Sequence, residues 1–277
     1  MSTAALEVGG NTPGLLLSAS QVDRLASCEM RWLLDKTMPP GPESAKSEAL
    51  LLGTLMHRLM GAWWQGRPWQ QEWDTALAEE DGWEPGYEAP TVFNRAVKIM
   101  AAWVEVHGLT PPYPLVALEL PFDLPVPGLK DVRIRAFIDG LVTVPADGTR
   151  PDDRRKDTLR LLEFKTMGRW GRETMVPWDP QLHLYLWAAR QLFNADGAIF
   201  EAISTYDYKT GGAERRFKRI DLPYDERAVA RTLDDVRTAA KRARLLLKTP
   251  ALAVRNITKD CSWCPHFKQC LTPWETG

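Results

Sequence analysis

The sequence has no excess of charge of either sign. Its 277 residues include 35 Lys and Arg against 36 Asp and Glu, which gives a net charge of −1. This balance argues against a generic basic coat for nucleic acid, but it leaves room for a local basic cleft, because the distribution of charge matters more than its sum. No apolar run approaches the length of a membrane span, and residues 1–11 lack the basic-then-apolar layout of a secretory signal. We therefore expect a cytoplasmic protein without a membrane partner.

Cysteine is scarce, and the four cysteines are not scattered. Cys28 stands alone, whereas Cys261, Cys264 and Cys270 lie close together in the sequence. In a reducing cytosol this clustering favours a bound metal or cluster over disulfides. The spacing fits either zinc or an iron–sulfur cluster, and burial of four thiols in a core is the alternative that the clustering disfavours. A single distant cysteine joined to a C-terminal trio is typical of a staple that closes the two ends of a chain on each other.

Hydrophobic periodicity and turn signals divide the chain into helical and extended segments. We predict helices over residues 21–34, 47–64, 69–80, 91–106, 180–193 and 225–247. We predict strands over residues 115–122, 132–144, 158–165, 198–206 and 215–220. Helices followed by three strands, a helix, two strands and a helix predict an α/β fold, with a mixed central β-sheet flanked by helices behind a helical N-terminal section.

The same pattern predicts how the chain is organised. We expect a flexible tail over residues 1–14 and a single domain over 15–277. That domain would contain a helical section (15–112), a sheet core (113–222) and a long helix with the cysteine trio joined to Cys28 (223–277). The charged stretch 146–157 is predicted to be a hairpin tip. No internal repeat or low-complexity segment interrupts this order.

Glu163 and Lys165 lie at the end of a mainly apolar strand, Leu159–Lys165. Because side chains alternate along a strand, both point to one face and Phe164 points to the other. A carboxylate and an ammonium at a strand end suit metal-assisted attack on a phosphate, in which the acid holds the cation and the lysine stabilises charge. A solvent-facing ion pair is the alternative for this short pattern.

Asp139 and His57 are candidate partners of that pair. Asp139 lies in an apolar strand, where a carboxylate is costly to bury unless a positive group pairs with it. A metal shared with Glu163 accounts for both acids, and oxygen ligands favour magnesium or manganese. A bulge or a solvated strand end is the alternative for Asp139. His57, beside the apolar stripe of its helix, is more often a packed or capping residue than a ligand.

Gln181 and Tyr185 are one turn apart on the helix that follows the Lys165 strand. Such pairs usually reflect amphipathic packing, but the first turn of this helix could reach the same cleft. Glu119 is a further candidate acid, with a surface strand position as the equal alternative.

Six segments in order resemble the motifs of RecB-type nucleases of the PD-(D/E)XK superfamily. They most resemble the iron–sulfur exonuclease branch, typified by the CRISPR-associated Cas-four proteins and the nuclease domain of AddB. The segments are Leu17–Arg31 with Cys28, Gly53–His57, Ala136–Asp139, Leu162–Thr166, Gln181–Tyr185 and the terminal cysteine trio. Ala136 stands where glycine is often found, and Glu163 occupies the variable acid position. The resemblance covers nearly the whole chain and implies a restriction-endonuclease-like core with a C-terminal iron–sulfur staple.

The resemblance also implies roles for individual residues. His57, Asp139, Glu163 and the backbone carbonyl of Phe164 would ligate Mg²⁺ or Mn²⁺. Lys165 would position or activate the attacking water. The implied catalytic set is Asp139, Glu163, Lys165, Gln181 and Tyr185. Cys28, Cys261, Cys264 and Cys270 would hold a [4Fe–4S] cluster, with zinc as the alternative at the same four thiols.

The function implied is a Mg²⁺- or Mn²⁺-dependent DNA exonuclease acting on single- or double-stranded DNA ends. It would serve recombination, repair, phage DNA processing or CRISPR adaptation in a bacterial or phage-infected cell. A recombinase, an adaptation complex or a helicase is the implied partner. The alternative is a non-catalytic DNA-end-binding or recombination subunit that keeps the fold, and the presence of every motif residue speaks against it.

Basic residues near the motifs are candidate phosphate contacts. They are Arg31, Arg58, Arg135, Arg169, Arg172 and Lys209. Trp170 and Trp178, in the loop after Lys165, are candidates for stacking on unpaired bases.

Overall fold

The structure is a computed structural model that describes residues 14–38, 48–79, 89–145, 157–168, 170–171 and 173–271. These residues form two compact units. The first unit is built from described residues within Met1–Pro39, Asp123–Ala136 and Leu233–Gly277, and the second from those within Pro40–Phe122 and Phe137–Thr232. The predicted hairpin tip lies outside the described residues except for Asp157, and so does the predicted tail except for Gly14. The prediction of one domain over residues 15–277 stays a prediction.

The described residues contain eight α-helices and six strands. The helices are α1 (Ala19–Ser27), α2 (Glu29–Thr37), α3 (Glu48–Trp64), α4 (Trp69–Glu79), α5 (Ala89–His107), α6 (Pro180–Phe193), α7 (Glu226–Lys248) and α8 (Phe267–Leu271). The strands are β1 (Leu15–Leu17), β2 (Leu115–Pro125), β3 (Val132–Val144), β4 (Thr158–Met167), β5 (Gly197–Ser204) and β6 (Phe217–Pro223). Short 3₁₀ turns cover Glu173–Trp178, Ala213–Arg216, Pro250–Leu252 and Lys259–Trp263. The order of elements predicted from the sequence is confirmed.

Two details of that prediction were wrong. The helix predicted over residues 21–34 is divided into α1 and α2 at Cys28, whose backbone is extended (φ −159°, ψ 105°). Ser18 caps α1 by accepting a hydrogen bond from the Gln21 amide, and Cys28 occupies the N-cap position of α2 without a side-chain cap bond. The strand β1 was not predicted, because three residues are too few to show a period.

A mixed sheet forms the middle of the second unit. Residues Gly140–Val144 of β3 pair antiparallel with β4, β4 pairs parallel with β5, and β5 pairs antiparallel with β6. Strand β2 also pairs with β3. A parallel pair needs a crossover connection, and α6 supplies it between β4 and β5. The predicted α/β class with a mixed sheet between helices is confirmed.

The hydrophobic core of the second unit lies between one face of this sheet and helices α3, α4 and α5. Phe164 of β4 enters this core together with side chains of β3, β5 and β6. On the helix side, Trp63, Trp64 and Trp103 are almost fully buried, and Trp63 meets each of the other two edge to face. Because Phe164 is on the core face, strand alternation turns Glu163 and Lys165 to the opposite face.

Helix α6 covers that opposite face. Asp179 caps its N-terminus by accepting hydrogen bonds from the Gln181 amide (2.8 Å) and the Leu182 amide (3.4 Å), and Pro180 occupies the first turn. Asn194 ends the helix in the left-handed conformation (φ 57°) that suits a C-cap. The helix start is therefore fixed by its own sequence directly beside Lys165.

The first unit joins residues from both ends of the described chain. Its strand β1 pairs parallel with Val132–Ile134 of β3. Glu29 of α2 accepts two hydrogen bonds from the Arg242 guanidinium of α7 (2.5 and 2.8 Å) and one from the Val254 amide (2.9 Å). These bonds connect residues more than 200 positions apart without any covalent link.

Among the described residues, no helix is both long enough and apolar enough to cross a membrane.

Candidate active site on the α6 face of the sheet

The site is built on β4. Glu163 is buried, with 4% of its surface exposed, whereas Lys165 is partly exposed. The two residues lie on the same face of the strand, as the sequence predicts. Strand β5 supports them from one side, since Glu163 pairs with Phe200 and Lys165 with Ala202.

Asp139 of β3 lies beside Glu163. One carboxylate oxygen, Oδ2, accepts a hydrogen bond from the Phe164 backbone amide at 2.9 Å. The other, Oδ1, lies 3.3 Å from His57 Nδ1 on α3. The alternative of a solvated strand end therefore does not describe Asp139, because both of its oxygens have protein partners.

His57 lies between Asp139 and the backbone of Phe164. Burial lowers the pKa of the imidazole, but the hydrogen bond and the charge of Asp139 and a hydrogen bond to the Phe164 backbone raise it above its ordinary value. Its ring also meets the Phe164 ring edge to face at 5.9 Å. Of the four ligands implied by the resemblance, Asp139 thus contacts both His57 and the Phe164 backbone, and its charge acts on Glu163.

Glu163 is the most perturbed group of the site. Burial raises its pKa well above the ordinary value, the nearby Asp139 carboxylate raises it further, and Lys165 partly offsets the rise. Its Oε1 accepts a hydrogen bond from the side-chain Nε2 of Gln181 at 3.4 Å. Its buried Oε2 has no hydrogen-bond partner among the described residues. A buried carboxylate oxygen without a partner is costly, so a group that binds it would stabilise the site.

A divalent cation fits that oxygen. Within the described parts of the chain, no three His, Cys, Asp or Glu side chains already form a metal site by themselves. Mg²⁺ needs no such set, because it is bound through one or two carboxylates and completes its shell with waters and substrate phosphates. Asp139 and Glu163 provide two carboxylates on neighbouring strands.

Lys165 is held at the start of α6. Its Nζ lies 3.4 Å from Gln181 Oε1 and 3.6 Å from Asp179 Oδ2. The side-chain Nε2 of Gln181 also donates a hydrogen bond to the Tyr185 hydroxyl at 3.2 Å. Gln181 therefore connects the lysine, the buried acid and the tyrosine, which is more than amphipathic packing provides.

Tyr185 closes the inner side of this network. Burial raises the pKa of its hydroxyl, and the Glu163 and Asp139 carboxylates raise it further. Its ring meets Phe122 of β2 edge to face at 5.9 Å. The hydroxyl is therefore a neutral hydrogen-bonding group at neutral pH.

Asp179 is a site residue that the sequence analysis missed. One of its oxygens caps α6 and the other faces Lys165. The signal was present, because an aspartate followed by proline is the usual start of a helix. Its position next to Lys165 depends on the fold and could not be read from the sequence.

The predicted phosphate contacts have different surroundings. Arg58 is bound to Glu72 and Glu79, and Arg135 shares Asp123 with Arg133. Arg31 is partly buried, in the first unit. Arg169 and Arg172 lie outside the described residues, whereas Lys209 is exposed. A DNA-binding role for these residues stays a prediction.

Trp178 and Glu119, two further residues singled out in the sequence, are among the described residues. Trp178 ends the 3₁₀ turn before Asp179 and is 63% exposed. Glu119 lies within β2 in the left-handed region (φ 49°), which is uncommon for a residue with a side chain and marks an irregularity of the strand. Roles for both residues stay predictions.

The four cysteines lie together in the first unit. All four are partly buried and none forms a disulfide. Burial raises the pKa of the Cys270 thiol, Arg255 lowers it, and the thiols of Cys28, Cys264 and Cys261 raise it further. The three neighbouring thiols are thus close enough to act on Cys270, although no set of three described cysteines already has the geometry of a metal site.

Hydrogen bonds that need no metal also hold this region. His266, which is buried, lies 2.7 Å from Asp35 of α2 through Nε2, and Arg24 of α1 binds the other oxygen of Asp35 at 2.6 Å. The Asn256 side chain donates to the Ser27 carbonyl at 2.8 Å. None of these residues is recognisable from the sequence alone as a link between segments so far apart in the chain.

Comparisons with known proteins identify the family of the chain. Residues 16–271 match the model of the PD-(D/E)XK nuclease superfamily. Among solved structures, a candidate exonuclease from Eubacterium rectale is similar, with 16% identity, a TM-score of 0.57 and alignment over 91% of this chain and 87% of that chain. A protein named SSO0001 aligns over 96% of this chain and 88% of that one, with 13% identity and a TM-score of 0.41. No curated protein matches the chain. Since the family model spans most of the sequence, the chain belongs to the PD-(D/E)XK nuclease superfamily.

Proposed function

We propose that the protein is a Mg²⁺- or Mn²⁺-dependent deoxyribonuclease that hydrolyses phosphodiester bonds at DNA ends. The observation that carries the proposal is the buried Glu163 oxygen without a partner, next to Asp139 and on the same strand face as Lys165. Membership of a nuclease superfamily in which Mg²⁺ or Mn²⁺ is the general cofactor supports it.

The residues of the site divide the work. Asp139, Glu163, His57 and the Phe164 carbonyl would hold the cation, which when bound polarises the phosphate and lowers the pKa of a bound water. Lys165 stabilises the negative charge that develops on the phosphate and orients the attacking water. Gln181 keeps the lysine and Glu163 in position through its two contacts of 3.4 Å, and Tyr185 supports the Gln181 amide at 3.2 Å.

Preference for DNA ends is the finer part of the proposal. The order of the motifs resembles the iron–sulfur exonuclease branch, and the similar Eubacterium rectale structure carries the name of a candidate exonuclease. An end-specific enzyme releases label from linear DNA and leaves closed circles intact. Recombination, repair, phage DNA processing and CRISPR adaptation are the pathways in which such an enzyme would act.

Digestion of end-labelled linear DNA and of closed circular DNA, each with Mn²⁺ or with EDTA, tests this proposal. We expect Mn²⁺-dependent release of label from the linear substrate and no nicking of circles. Cutting of closed circles at the same rate as linear DNA would show that the protein is an endonuclease and not an exonuclease. Binding of ends without any cleavage would favour the alternative, a non-catalytic end-binding subunit.

We further propose that Cys28, Cys261, Cys264 and Cys270 hold a [4Fe–4S] cluster, with Zn²⁺ as the alternative. The electrostatic effect of three thiols on Cys270 supports a shared ligand, since four thiols around one centre fit either metal. Purification without oxygen followed by a visible spectrum and metal analysis separates the two. A brown protein bleached by reduction supports the cluster, and a colourless protein with one zinc per chain contradicts it.

A further inference from the structure

The edge of the sheet beyond Lys165 carries a group of aromatic and basic side chains. Strands β4 and β5 are parallel and end together, at Met167 and Ser204. The chain continues from β5 into the segment Thr205–Arg216 and from β4 into Gly168 and Trp170. We call Trp170, Tyr206, Tyr208, Arg215 and Lys218 the aromatic platform.

The register of the two strands places the platform relative to Lys165. Met167 lies two residues after Lys165 and therefore points to the same face, and Ser204 is its pairing partner on β5. Two residues along a strand and one strand across give a separation of roughly 8 Å between the Cα atoms of Lys165 and Ser204. Ser204 is thus a neighbour of Lys165 on the α6 face.

Ser204 ties the platform to this face. The residue is fully buried, and its hydroxyl donates to the Gly168 carbonyl at 2.7 Å. The same oxygen accepts a hydrogen bond from the Tyr206 amide (3.3 Å) and lies 3.2 Å from the Tyr208 hydroxyl. One buried serine therefore connects the end of the catalytic strand with two tyrosines of the platform.

Arginine side chains hold the backbone of the segment that follows. Arg95 of α5 donates to the Thr205 carbonyl, Arg216 to the Tyr206 carbonyl (2.9 Å) and Arg215 to the Thr210 carbonyl (2.8 Å). Three guanidinium groups thus hold the backbone of a surface segment that lies between strands β5 and β6. A preformed surface loses less entropy when it binds a ligand than a disordered one does.

Within the platform, rings and cations alternate. The Arg215 guanidinium lies over the Tyr208 ring at 5.2 Å, and the Lys218 ammonium lies over the Trp170 ring at 4.8 Å. Tyr206 and Tyr208 meet edge to face at 5.1 Å, and the Trp170 indole N–H donates to the Arg215 carbonyl at 2.5 Å. The three rings are half-buried, whereas Arg215 and Lys218 are exposed.

None of the three rings belongs to the hydrophobic cluster between the sheet and helices α3, α4 and α5. Two acids accompany the platform, Asp207 and Glu214, and Asp207 is bound to Arg216. Lys209, Arg215 and Lys218 are exposed cations in the same region.

We propose that the aromatic platform binds unpaired bases of a DNA strand whose phosphodiester lies at Lys165. Rings that stack on bases next to cations that meet phosphates are what single-strand binding requires, and stacking tolerates any base sequence. Duplex bases are already stacked and cannot use these rings. The inference rests on the proposed nuclease function and adds its substrate class, a single-stranded end.

Fluorescence anisotropy in EDTA tests the platform without cleavage. The probes are a labelled single-stranded oligonucleotide and a blunt duplex of the same length. We expect Tyr208→Ala to weaken single-strand binding about tenfold, the effect of losing about one stacked base, and to leave duplex binding within about twofold of the original protein. Trp170→Ala serves as the second variant, with circular dichroism as the check on folding.

Tyr208→Phe is the matched control, because it keeps the ring and removes only the hydroxyl that faces Ser204. We expect its single-strand affinity to stay near that of the original protein. Three results would overturn the proposal. Single-strand affinity could be unchanged in both alanine variants, or duplex affinity could fall as much as single-strand affinity. The third is a loss of single-strand affinity in Tyr208→Phe as large as in Tyr208→Ala. Failure of the nuclease function is seen separately, as the absence of Mn²⁺-dependent digestion by the unaltered protein.

Discussion

Glu163 is a buried acid whose burial is costly. Its pKa is raised by burial and by Asp139, so holding it charged destabilises the metal-free fold. We expect Glu163→Gln to raise the melting temperature of the protein in EDTA while abolishing nuclease activity, because the amide keeps the shape without the charge. Thermal melts of both proteins in EDTA measure this. If Glu163 were part of a structural ion pair with Lys165, the substitution would lower the melting temperature instead.

Asp179 has two tasks that can be separated by substitution. Alanine removes both the helix cap and the carboxylate facing Lys165, whereas asparagine keeps a good cap and removes only the charge. We expect Asp179→Ala to lose about 1 kcal/mol of stability and Asp179→Asn to lose little.

The kinetic constants distinguish positioning from folding. Both Asp179 variants should show a lower kcat with a KM for DNA close to that of the original protein, since the change acts on Lys165 and not on the DNA surface. A kcat that returns to normal in Asp179→Asn would mean that the residue acts only as a helix cap.

The sequence indicated the candidate metal ligands and Lys165 better than it indicated the residues that hold them in place. Asp139, Glu163 and Lys165 were recognisable because charged residues inside apolar strands are unusual, and motif order brought in His57, Gln181 and Tyr185. Asp179 and Ser204 escaped notice because capping and strand-end residues are common in every protein. The strand register places Ser204 near Lys165, and the start of α6 brings Asp179 Oδ2 to 3.6 Å from Lys165 Nζ.

Helix α5 ends at a histidine that should make stability depend on pH. His107 packs on Trp103 with 4.0 Å between ring centroids and on Phe217 of β6 at 5.7 Å. Burial, and then the charge of Arg219, lowers its pKa from 6.5 to about 4. Above pH 6.5 the ring is neutral in both states. Between pH 6.5 and about 4 the unfolded chain takes up a proton that the folded protein does not, so stability is lost as the pH falls.

His107→Phe removes this proton and keeps a ring in place. We expect the melting temperature of the original protein to fall more steeply between pH 7 and pH 5 than that of the variant, since other groups contribute equally to both. Parallel curves would show that His107 is not held neutral by the fold. Thermal melts at a series of pH values at constant ionic strength give the comparison.

Element boundaries show where sequence reasoning stops. Helix α6 and strand β3 were predicted with their observed limits, and in α6 the apolar periodicity and the cap residues agree. The division between α1 and α2 at Cys28 was not predicted, because no glycine or proline marks it in the sequence. Cys28 occupies the N-cap position of α2, so its thiol lies at a helix start.

At the scale of the whole molecule, hydrogen bonds within the first unit join segments from near both ends of the described chain, and the four free thiols lie in the same unit. Glu29 and Arg242 form a partly buried bidentate pair, and the hydrogen bonds from Arg242 lower the pKa of Glu29 more than burial raises it. Asp35, Arg24 and His266 form a second link. The staple predicted from cysteine spacing stays a prediction, whereas these polar contacts, which the sequence did not indicate, are present in the structure.

Loss of the proposed cofactor should act mainly on this unit. We expect Cys28→Ser to abolish visible absorbance or bound zinc and to speed amide exchange in residues 19–37 and 252–271, while β4 and β5 keep their protection. Hydrogen exchange read by mass spectrometry measures both regions in one experiment. Equal loss of protection in β4 and β5 would mean that the two units do not unfold independently.

The central claim is that Lys165 with Asp139 and Glu163 forms a metal-dependent nuclease site. Release of end label from linear DNA in Mn²⁺, compared between the original protein, Lys165→Ala and Lys98→Ala, tests it most directly. Lys98 is an exposed lysine on α5 and serves as the matched control. The account predicts full activity for Lys98→Ala and a loss of at least about a hundredfold for Lys165→Ala, with both variants folded. Full activity in Lys165→Ala would contradict it.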